Sequence, residues 1–251
     1  MRTTWIFALL MTGVTISAEL PDAPAGKVWK RVWADEFDGK AIDTAKKWDI
    51  PDQKRRDYWW RAKSAFLDGK GHLVLRTEKI DGKYYSPCVR TRGKYQKAFG
   101  FFTTRCKVPK SEGHWSAFWL YADPVNRVGD DGRDGTEIDI FEWPWRDGRV
   151  QHTLHWDGYG PAHRSAGHVS HPPGVTDGDW HTYSLWWTPE EYVFYVDGKE
   201  VWRTKEGGVC QVPLYLKLST EIGEWAGDIR KAKLPDDFIV DYVRVYDMVV
   251  E

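Results

Sequence analysis

Short stretches in which apolar and polar residues alternate recur along almost the whole chain. This two-residue period places alternate side chains on opposite faces of an extended backbone, so each stretch predicts a β-strand with one buried face. The stretches are rich in Val, Tyr, Phe, Thr and Trp, and Gly, Asp and Pro bound them. The predicted strands are residues 28–33, 72–76, 87–92, 100–108, 116–121, 136–142, 150–155, 181–187, 214–219 and 238–246.

A further pair of strands, residues 192–196 and 200–203, flanks Asp197-Gly198, a dipeptide that suits a two-residue hairpin turn with positive φ. Helical periodicity is nearly absent, and only residues 43–48 favour a short helical turn. The chain contains no linker, low-complexity tract or internal repeat, so residues 19–251 are expected to form a single domain. Many strands with almost no helix predict an all-β fold, a two-sheet antiparallel β-sandwich of the jelly-roll type.

Composition narrows the class of partner. The formal net charge is −1 over 251 residues, so no basic field would attract a nucleic acid or an anionic membrane. The sixteen Trp residues are an unusually large number. Trp side chains can fill a large core or offer flat apolar platforms to sugar rings, and both uses remain open for individual residues.

The first residues have the pattern of a secretory signal peptide. Arg2 is followed by an apolar run over residues 5–14, which is too short to span a bilayer, and then by the small residues Ser17 and Ala18. Residues 1–18 are therefore expected to be removed after Ala18, which predicts a secreted or periplasmic protein. Three cysteines remain, Cys88, Cys106 and Cys210, and the sequence leaves open whether Cys88 and Cys106 form a disulfide.

The candidate chemistry lies in the segment Glu137-Ile138-Asp139-Ile140-Phe141-Glu142. In a regular strand Glu137 and Asp139 share a face, whereas Glu142, five residues from Glu137, would point the other way. One β-bulge between Asp139 and Glu142 would return Glu142 to the acid face. We therefore predict three carboxyl groups in a row on one side of a sheet, the alternative being a solvated acidic strand.

A pair of carboxyl groups about 5–5.5 Å apart is what glycoside hydrolysis with retention requires, one as nucleophile and one as general acid/base. An Asp between them can hydrogen-bond the nucleophile, and its charge raises the proton affinity of its neighbours. A non-catalytic carbohydrate-binding protein of the same architecture is the competing interpretation. It gives no reason for two Glu and one Asp to share a dry strand face.

The segments around these acids resemble glycoside hydrolase family 16, which includes laminarinases, agarases, carrageenases and lichenases. Residues 137–142 are similar to the bulged form of its catalytic signature, as found in laminarinases and agarases. Residues 113–120 resemble the strand before the catalytic one, and residues 33–37 and 241–246 resemble the first and last strands. The resemblance covers nearly the whole mature chain and implies a concanavalin-like jelly roll in one glycoside hydrolase catalytic domain, residues 19–251.

The resemblance also implies roles for individual residues. Glu137 would be the nucleophile, Glu142 the general acid/base, and Asp139 the residue that positions and tunes Glu137. The implied substrate-binding residues are Trp60, Arg61, Arg90, Trp115, Trp119, Trp145, His155 and Trp225. Several keep a structural alternative: Trp119 can face the core, the two arginines can be surface cations, and His155 can be a structural histidine. The histidines at positions 163, 168 and 171 are interpreted as members of a polar loop that bind no metal.

Catalysis of this kind needs no cofactor, but members of the family often bind a structural calcium ion. The residues that match best are Asp241 and the backbone carbonyls of Glu36 and Gly71. Two departures from the family, Lys63 and Glu224, lie in segments expected to meet substrate, and they leave the identity of the sugar open.

The expected protein is thus a monomeric, secreted, retaining endo-β-glycosidase that acts on a β-linked polysaccharide, with β-1,3-glucan as the first candidate. An endo-β-galactosidase acting on an algal galactan or a host poly-N-acetyllactosamine glycan is the alternative. The sequence does not separate hydrolysis from transglycosylation, because the two differ only in the acceptor that takes the covalent intermediate.

Overall fold

The computed structural model describes residues 20–251. The predicted signal peptide, residues 1–18, lies outside the described residues, so its assignment stays a prediction. In the described part of the chain, no helix is long and apolar enough to cross a membrane.

Residues 20–251 form seventeen strands and five short 3₁₀ helices. The strands are β1 Lys27–Asp35, β2 Gln53–Arg55, β3 Tyr58–Trp60, β4 Ala65–Leu67, β5 Leu73–Ile80, β6 Lys83–Ser86, β7 Cys88–Arg90, β8 Gly100–Lys107, β9 His114–Tyr121, β10 Glu137–Trp143, β11 Val150–Trp156, β12 Arg164–Ser170, β13 Trp180–Trp187, β14 Tyr192–Val196, β15 Lys199–Thr204, β16 Tyr215–Ile222 and β17 Asp236–Val250. The 3₁₀ helices are Ala62–Ser64, Asp123–Asn126, Glu206–Gly208, Glu224–Ala226 and Ile229–Lys231.

The strands form two sheets. The larger sheet has eleven strands in the order β15-β14-β13-β8-β17-β5-β6-β3-β2, with β1 paired to β17 and β4 paired to β5. The smaller sheet has six strands in the order β12-β11-β10-β9-β16-β7. Strands β3 and β6 pair in parallel, and the other pairings are antiparallel. The predicted two-sheet antiparallel sandwich is confirmed.

The core lies between the two sheets. Ile138 and Leu218 face it from the smaller sheet, and Phe102 and Val245 face it from the larger one, all fully buried. The ring of Phe141 on β10 stacks on that of Tyr183 on β13, with centroids 4.0 Å apart. Because the apolar residues of the smaller sheet point inward, their polar neighbours in the alternation point to its outer face, which is free to form a binding surface.

The hairpin predicted at Asp197-Gly198 is confirmed. It joins β14 to β15, and the two turn residues have φ values of 48° and 73°. Positive φ at both central positions is what a type I′ turn requires, and Asp-Gly adopts it readily.

The prediction of a polar loop around His168 is wrong, because this residue lies on β12. Strand β12 is an edge strand of the smaller sheet and six of its seven residues are at least partly exposed, so it shows no alternation. The short strands β2, β3, β4 and β6 were likewise not predicted. Each has four residues or fewer, which is too short to show a period.

All three cysteines are buried and unpaired, so Cys88 and Cys106 do not form a disulfide. Stability therefore comes from the apolar core between the sheets rather than from covalent cross-links.

Candidate active site

The predicted β-bulge is present in β10. Opposite β11, the register steps from Asp139–Thr153 to Glu142–Gln151, so three positions on β10 oppose two on β11. Ile140 and Phe141 are consecutive and both fully buried in the core. Two successive inward side chains are the mark of the extra residue, and they return Glu142 to the same face as Asp139.

The acids lie on the outer face of the smaller sheet, in register with polar and aromatic residues of neighbouring strands. Asp139 is opposite Trp119 on β9, and Trp119 is opposite Lys217 on β16. Glu142 is opposite Ala117, and Glu137 is opposite His155 on β11. Side chains on β9, β11 and β16 therefore extend from the acids in both directions across the sheet. An extended chain molecule could lie along this row.

Glu137 accepts a hydrogen bond of 2.6 Å from the hydroxyl of Tyr159. Burial raises the pKa of Glu137 above its ordinary value, while the Tyr159 hydroxyl and the nearby Lys217 lower it. Tyr159 follows β11 in a loop and was not identified from the sequence. Asp139 was expected to hydrogen-bond Glu137, whereas the donor to Glu137 is the hydroxyl of Tyr159.

Asp139 is 4% exposed, and burial together with the charges of Glu142 and Glu137 raises its pKa well above the usual range. Its nearest basic neighbour is His155, whose Nε2 lies 3.5 Å from Oδ2 of Asp139. Burial lowers the pKa of His155 to about 4, and its Nδ1 lies 2.9 Å from Nε2 of His163. The buried Asp139 therefore lies beside a His155 ring that is neutral at neutral pH.

Glu142 accepts a hydrogen bond of 3.0 Å from the indole nitrogen of Trp115. Burial together with the charge of Glu137 raises the pKa of Glu142 to about 8, against the opposing effect of the Trp115 hydrogen bond. A carboxyl group with this pKa is protonated at neutral pH, so Glu142 has the protonation state that a general acid needs.

The bulge has its own support in the adjacent strand. Nδ1 of His152 lies 2.7 Å from the carbonyl oxygen of Ile140, and Nε2 lies 2.9 Å from Oγ of Ser170. His152 is fully buried, and burial lowers its pKa to about 4, so the ring is neutral and Nδ1 donates to the bulge carbonyl. The ring satisfies a carbonyl at the point where the regular ladder is interrupted.

Three of the predicted aromatic residues meet at one edge of this face. The rings of Trp115 and Trp225 have centroids 5.3 Å apart, and those of Trp145 and Trp225 are 5.7 Å apart. Trp225 is 42% exposed, so it offers apolar surface to a ligand near Glu142.

Trp119 and Trp60 lie deeper, and both are largely buried. Nζ of Lys217 lies 3.3 Å from the ring centroid of Trp119 and 5.4 Å from that of Trp60. Trp119 donates a hydrogen bond of 3.1 Å to Oγ of Ser219. The open question about Trp119 is thus answered in favour of the outer face, where it forms part of the floor beside Asp139.

The two predicted arginines are both half-buried and paired with acids. Nη1 of Arg61 lies 2.9 Å from Oε1 of Glu78, and Nε of Arg90 lies 2.5 Å from Oδ2 of Asp49. Arg61 also lines a cavity with Tyr58 and with Trp59, which is exposed. The neighbouring Trp60 is buried. The charges of both arginines are therefore compensated within the chain.

A buried charged group on the floor was not identified from the sequence. Oε2 of Glu221 on β16 accepts hydrogen bonds of 2.5 Å from the Tyr58 hydroxyl and 3.1 Å from Nε of Arg55. Glu221 and Lys217 are each 5% exposed. The available signal was the alternation of Lys217, Ser219 and Glu221 with leucine and threonine residues along β16, which puts all three on the outer face.

Of the predicted calcium ligands, Asp241 lies on the last strand, β17, and Glu36 directly follows the first strand, β1. Gly71 lies between β4 and β5. The carboxylate of Asp241 pairs with Arg105 at 2.7 Å, and that of Glu36 pairs with Arg244 at 2.7 Å. A cation at Asp241 would have to compete with a guanidinium. The other two expected ligands are the main-chain carbonyl oxygens of Glu36 and Gly71, which the pairing of the Glu36 carboxylate does not involve. A structural calcium ion therefore stays a prediction.

Comparison with known proteins places these features in a family. The family described as "Glycosyl hydrolases family 16" matches residues 53–244. A protein called "Beta-glucanase" from Rhodothermus marinus is 28% identical, over 98% of this chain and 94% of its own length. A "Keratan-sulfate endo-1,4-beta-galactosidase" from Sphingobacterium multivorum is 29% identical, over 88% of this chain and 56% of its own length.

Among solved structures, the catalytic domain of an endo-1,3-β-glucanase (laminarinase) from Thermotoga petrophila is similar, with a TM-score of 0.75 and 28% identity. The alignment covers 88% of this chain and 98% of that one. The sandwich, the bulged strand and the acids on its outer face agree with the family match, and the chain belongs to glycosyl hydrolase family 16.

Proposed function

We propose that this glycoside hydrolase cleaves internal β-linkages of a polysaccharide with retention of configuration, using the carboxyl groups of β10. The observation that carries the proposal is the bulge, which aligns Glu137, Asp139 and Glu142 on one face in three different environments. Glu137 has a hydroxyl donor and a nearby ammonium that favour its ionised form, whereas Glu142 has a pKa of about 8. The two glutamates are therefore suited to different tasks.

In the proposed reaction, the Glu137 carboxylate attacks the anomeric carbon while Glu142 gives its proton to the leaving oxygen. A covalent glycosyl ester on Glu137 results. Glu142, now ionised, takes a proton from the incoming water, which attacks the anomeric carbon and releases Glu137. Burial and the neighbouring acids raise the pKa of Asp139, which disfavours a third negative charge in the row beside Glu137.

The first candidate substrate is β-1,3-glucan, because the Thermotoga relative is described as an endo-1,3-β-glucanase and the Rhodothermus relative as a β-glucanase. An endo-β-galactosidase acting on a sulfated or otherwise acidic galactan is the second candidate. The name of the Sphingobacterium relative and the buried Lys217 on the floor favour it. Digestion of a polysaccharide panel with analysis of the products separates the two.

The mechanism is tested with two variants. Glu137→Ala should be nearly inactive on every substrate, because the only route to the ester is lost. Glu142→Ala should lose most activity on polysaccharides but far less on an activated aryl glycoside, and azide should restore turnover with formation of the β-glycosyl azide. Glu190→Ala, at an exposed glutamate outside the site, is the matched control. An α-anomer as the first product in proton NMR would mean inversion and would exclude Glu137 as nucleophile.

We also propose that the protein is exported and acts as a monomer on an extracellular or periplasmic polysaccharide. The support for export is the pattern of residues 1–18. A mature protein beginning at Glu19 is the expected result of N-terminal sequencing.

A further inference from the structure

Lys217 is a buried cation without a counter-ion in contact. It is 5% exposed, and its ammonium is surrounded by the rings of Trp119, Tyr121 and Trp60, whose centroids lie 3.3, 5.1 and 5.4 Å from Nζ. Within residues 20–251 its ammonium has no hydrogen-bond partner and forms no ion pair; the carboxylates of Glu137 and Glu221 act on it only through space. An ammonium in this position is costly unless an acceptor meets it.

Three arginines near the floor differ in this respect. Arg55 bonds to Glu221, Arg61 to Glu78 and Arg90 to Asp49. Their charges orient neighbouring side chains. Lys217 has aromatic faces instead, which attract a cation but offer no acceptor to its three N–H donors.

Lys217 is also close to the bond that would be cleaved. It lies directly opposite Trp119, which lies directly opposite Asp139 between the two catalytic glutamates. Neighbouring strands are about 4.8 Å apart, so Lys217 is roughly two strand spacings from Asp139. A sugar placed on the Trp119 side of the cleaved bond would cover the ammonium and remove its remaining water.

We propose that Lys217 binds an acidic substituent, a sulfate ester or a carboxylate, on the sugar held on the β16 side of the cleaved bond. The inference rests on the proposed retaining cleavage, and it holds whether the backbone is a glucan or a galactan. It makes Lys217 the residue that determines specificity for a charged over a neutral polysaccharide.

Affinity gel electrophoresis of a catalytically inert protein tests binding apart from turnover. Glu142→Gln is a suitable background, because Glu142 is protonated at neutral pH and the amide keeps its charge and shape. The probes are keratan sulfate and its desulfated form for sulfate, and 6-oxidised and native laminarin for carboxylate. We expect at least one acidic probe to bind about tenfold more tightly than its neutral partner, as a charge-assisted hydrogen bond would provide.

Added to that background, Lys217→Met should abolish the preference, and Lys217→Arg should keep part of it. Lys199→Met, at an exposed lysine on β15 in the other sheet, is the matched control and should leave the preference unchanged. Equal binding of acidic and neutral probes by the starting protein would overturn the proposal, even if Lys217→Met does not fold. A preference that survives Lys217→Met in a folded protein would also overturn it.

The same probes separate this proposal from the reaction on which it rests. A wild-type protein that cleaves acidic and neutral polymers equally well, with retention, would refute the role of Lys217 alone. A protein that binds acidic polymers through Lys217 but cleaves none of the panel would refute the proposed function and leave the binding site intact.

Discussion

The hydrogen bond from Tyr159 to Glu137 allows a quantitative test of the assignment of Glu137 as the ionised nucleophile. Tyr159→Phe removes only the hydroxyl that donates to Oε2 of Glu137 at 2.6 Å. This hydroxyl stabilises the carboxylate and lowers its pKa, so its loss raises the pKa of Glu137 further above the ordinary value. Glu137 must be ionised to attack, and the acid limb of the profile of kcat/KM against pH should therefore move to higher pH.

The size of the shift follows from the strength of the bond. A hydrogen bond to a charged group contributes about 1.5–3 kcal/mol, and one pKa unit corresponds to about 1.4 kcal/mol. Tyr159 is 51% exposed, so water replaces part of the lost donor and the lower end of the range applies. The expected shift of the acid limb is about one pH unit, with a smaller change in rate on the plateau above it.

The assay is the initial rate of hydrolysis of an aryl glycoside or soluble glucan at low substrate concentration between pH 4 and pH 10. Tyr215→Phe is the matched control, because this tyrosine lies on the same sheet, on β16, and its hydroxyl bonds to none of the catalytic acids described. An acid limb that stays in place or moves to lower pH in Tyr159→Phe would contradict the assignment. A similar shift in Tyr215→Phe would show that the effect is not specific.

The other predictions concern the same strand and its surroundings. Trp115→Phe removes the donor that lowers the pKa of Glu142, so the basic limb of the kcat/KM profile should move to higher pH. His152→Leu leaves the Ile140 carbonyl unsatisfied and should cost about 1–3 kcal/mol, lowering both the melting temperature and kcat, whereas exposed His168→Leu should change neither. Calcium should raise the melting temperature, and a chelator should lower it; equal values would exclude a structural calcium ion.

Much of the fold could be predicted because its determinants are local. The bulge followed from counting: Glu137 and Glu142 cannot share a face at an odd offset unless one residue is extra. The structure adds a physical reason for the bulge. Ile140 and Phe141 are consecutive, and both are buried in the core. The turn at Asp197-Gly198 followed from backbone preferences that hold in any context.

The parts of the site that were missed depend on contacts between distant segments. Lys217 lies in a strand that was predicted correctly, but alternation alone does not tell whether an outward lysine meets solvent or three aromatic rings. Tyr159 lies in a loop after β11, and only the tertiary fold brings it to Glu137. Edge strand β12 was missed because a strand exposed on both faces has no apolar period to detect.

The three unpaired cysteines have a consequence for handling the protein. Cys88, Cys106 and Cys210 are buried, and burial raises the pKa of Cys88 and of Cys210 to about 11, so in the folded chain the thiolate needed for oxidation is scarce. Unfolding exposes all three thiols at once, and in air they can form mismatched disulfides that no native pairing corrects. Heat inactivation should therefore be irreversible in air but recoverable on cooling with a reductant, so that the surrounding redox conditions set the protein's working lifetime.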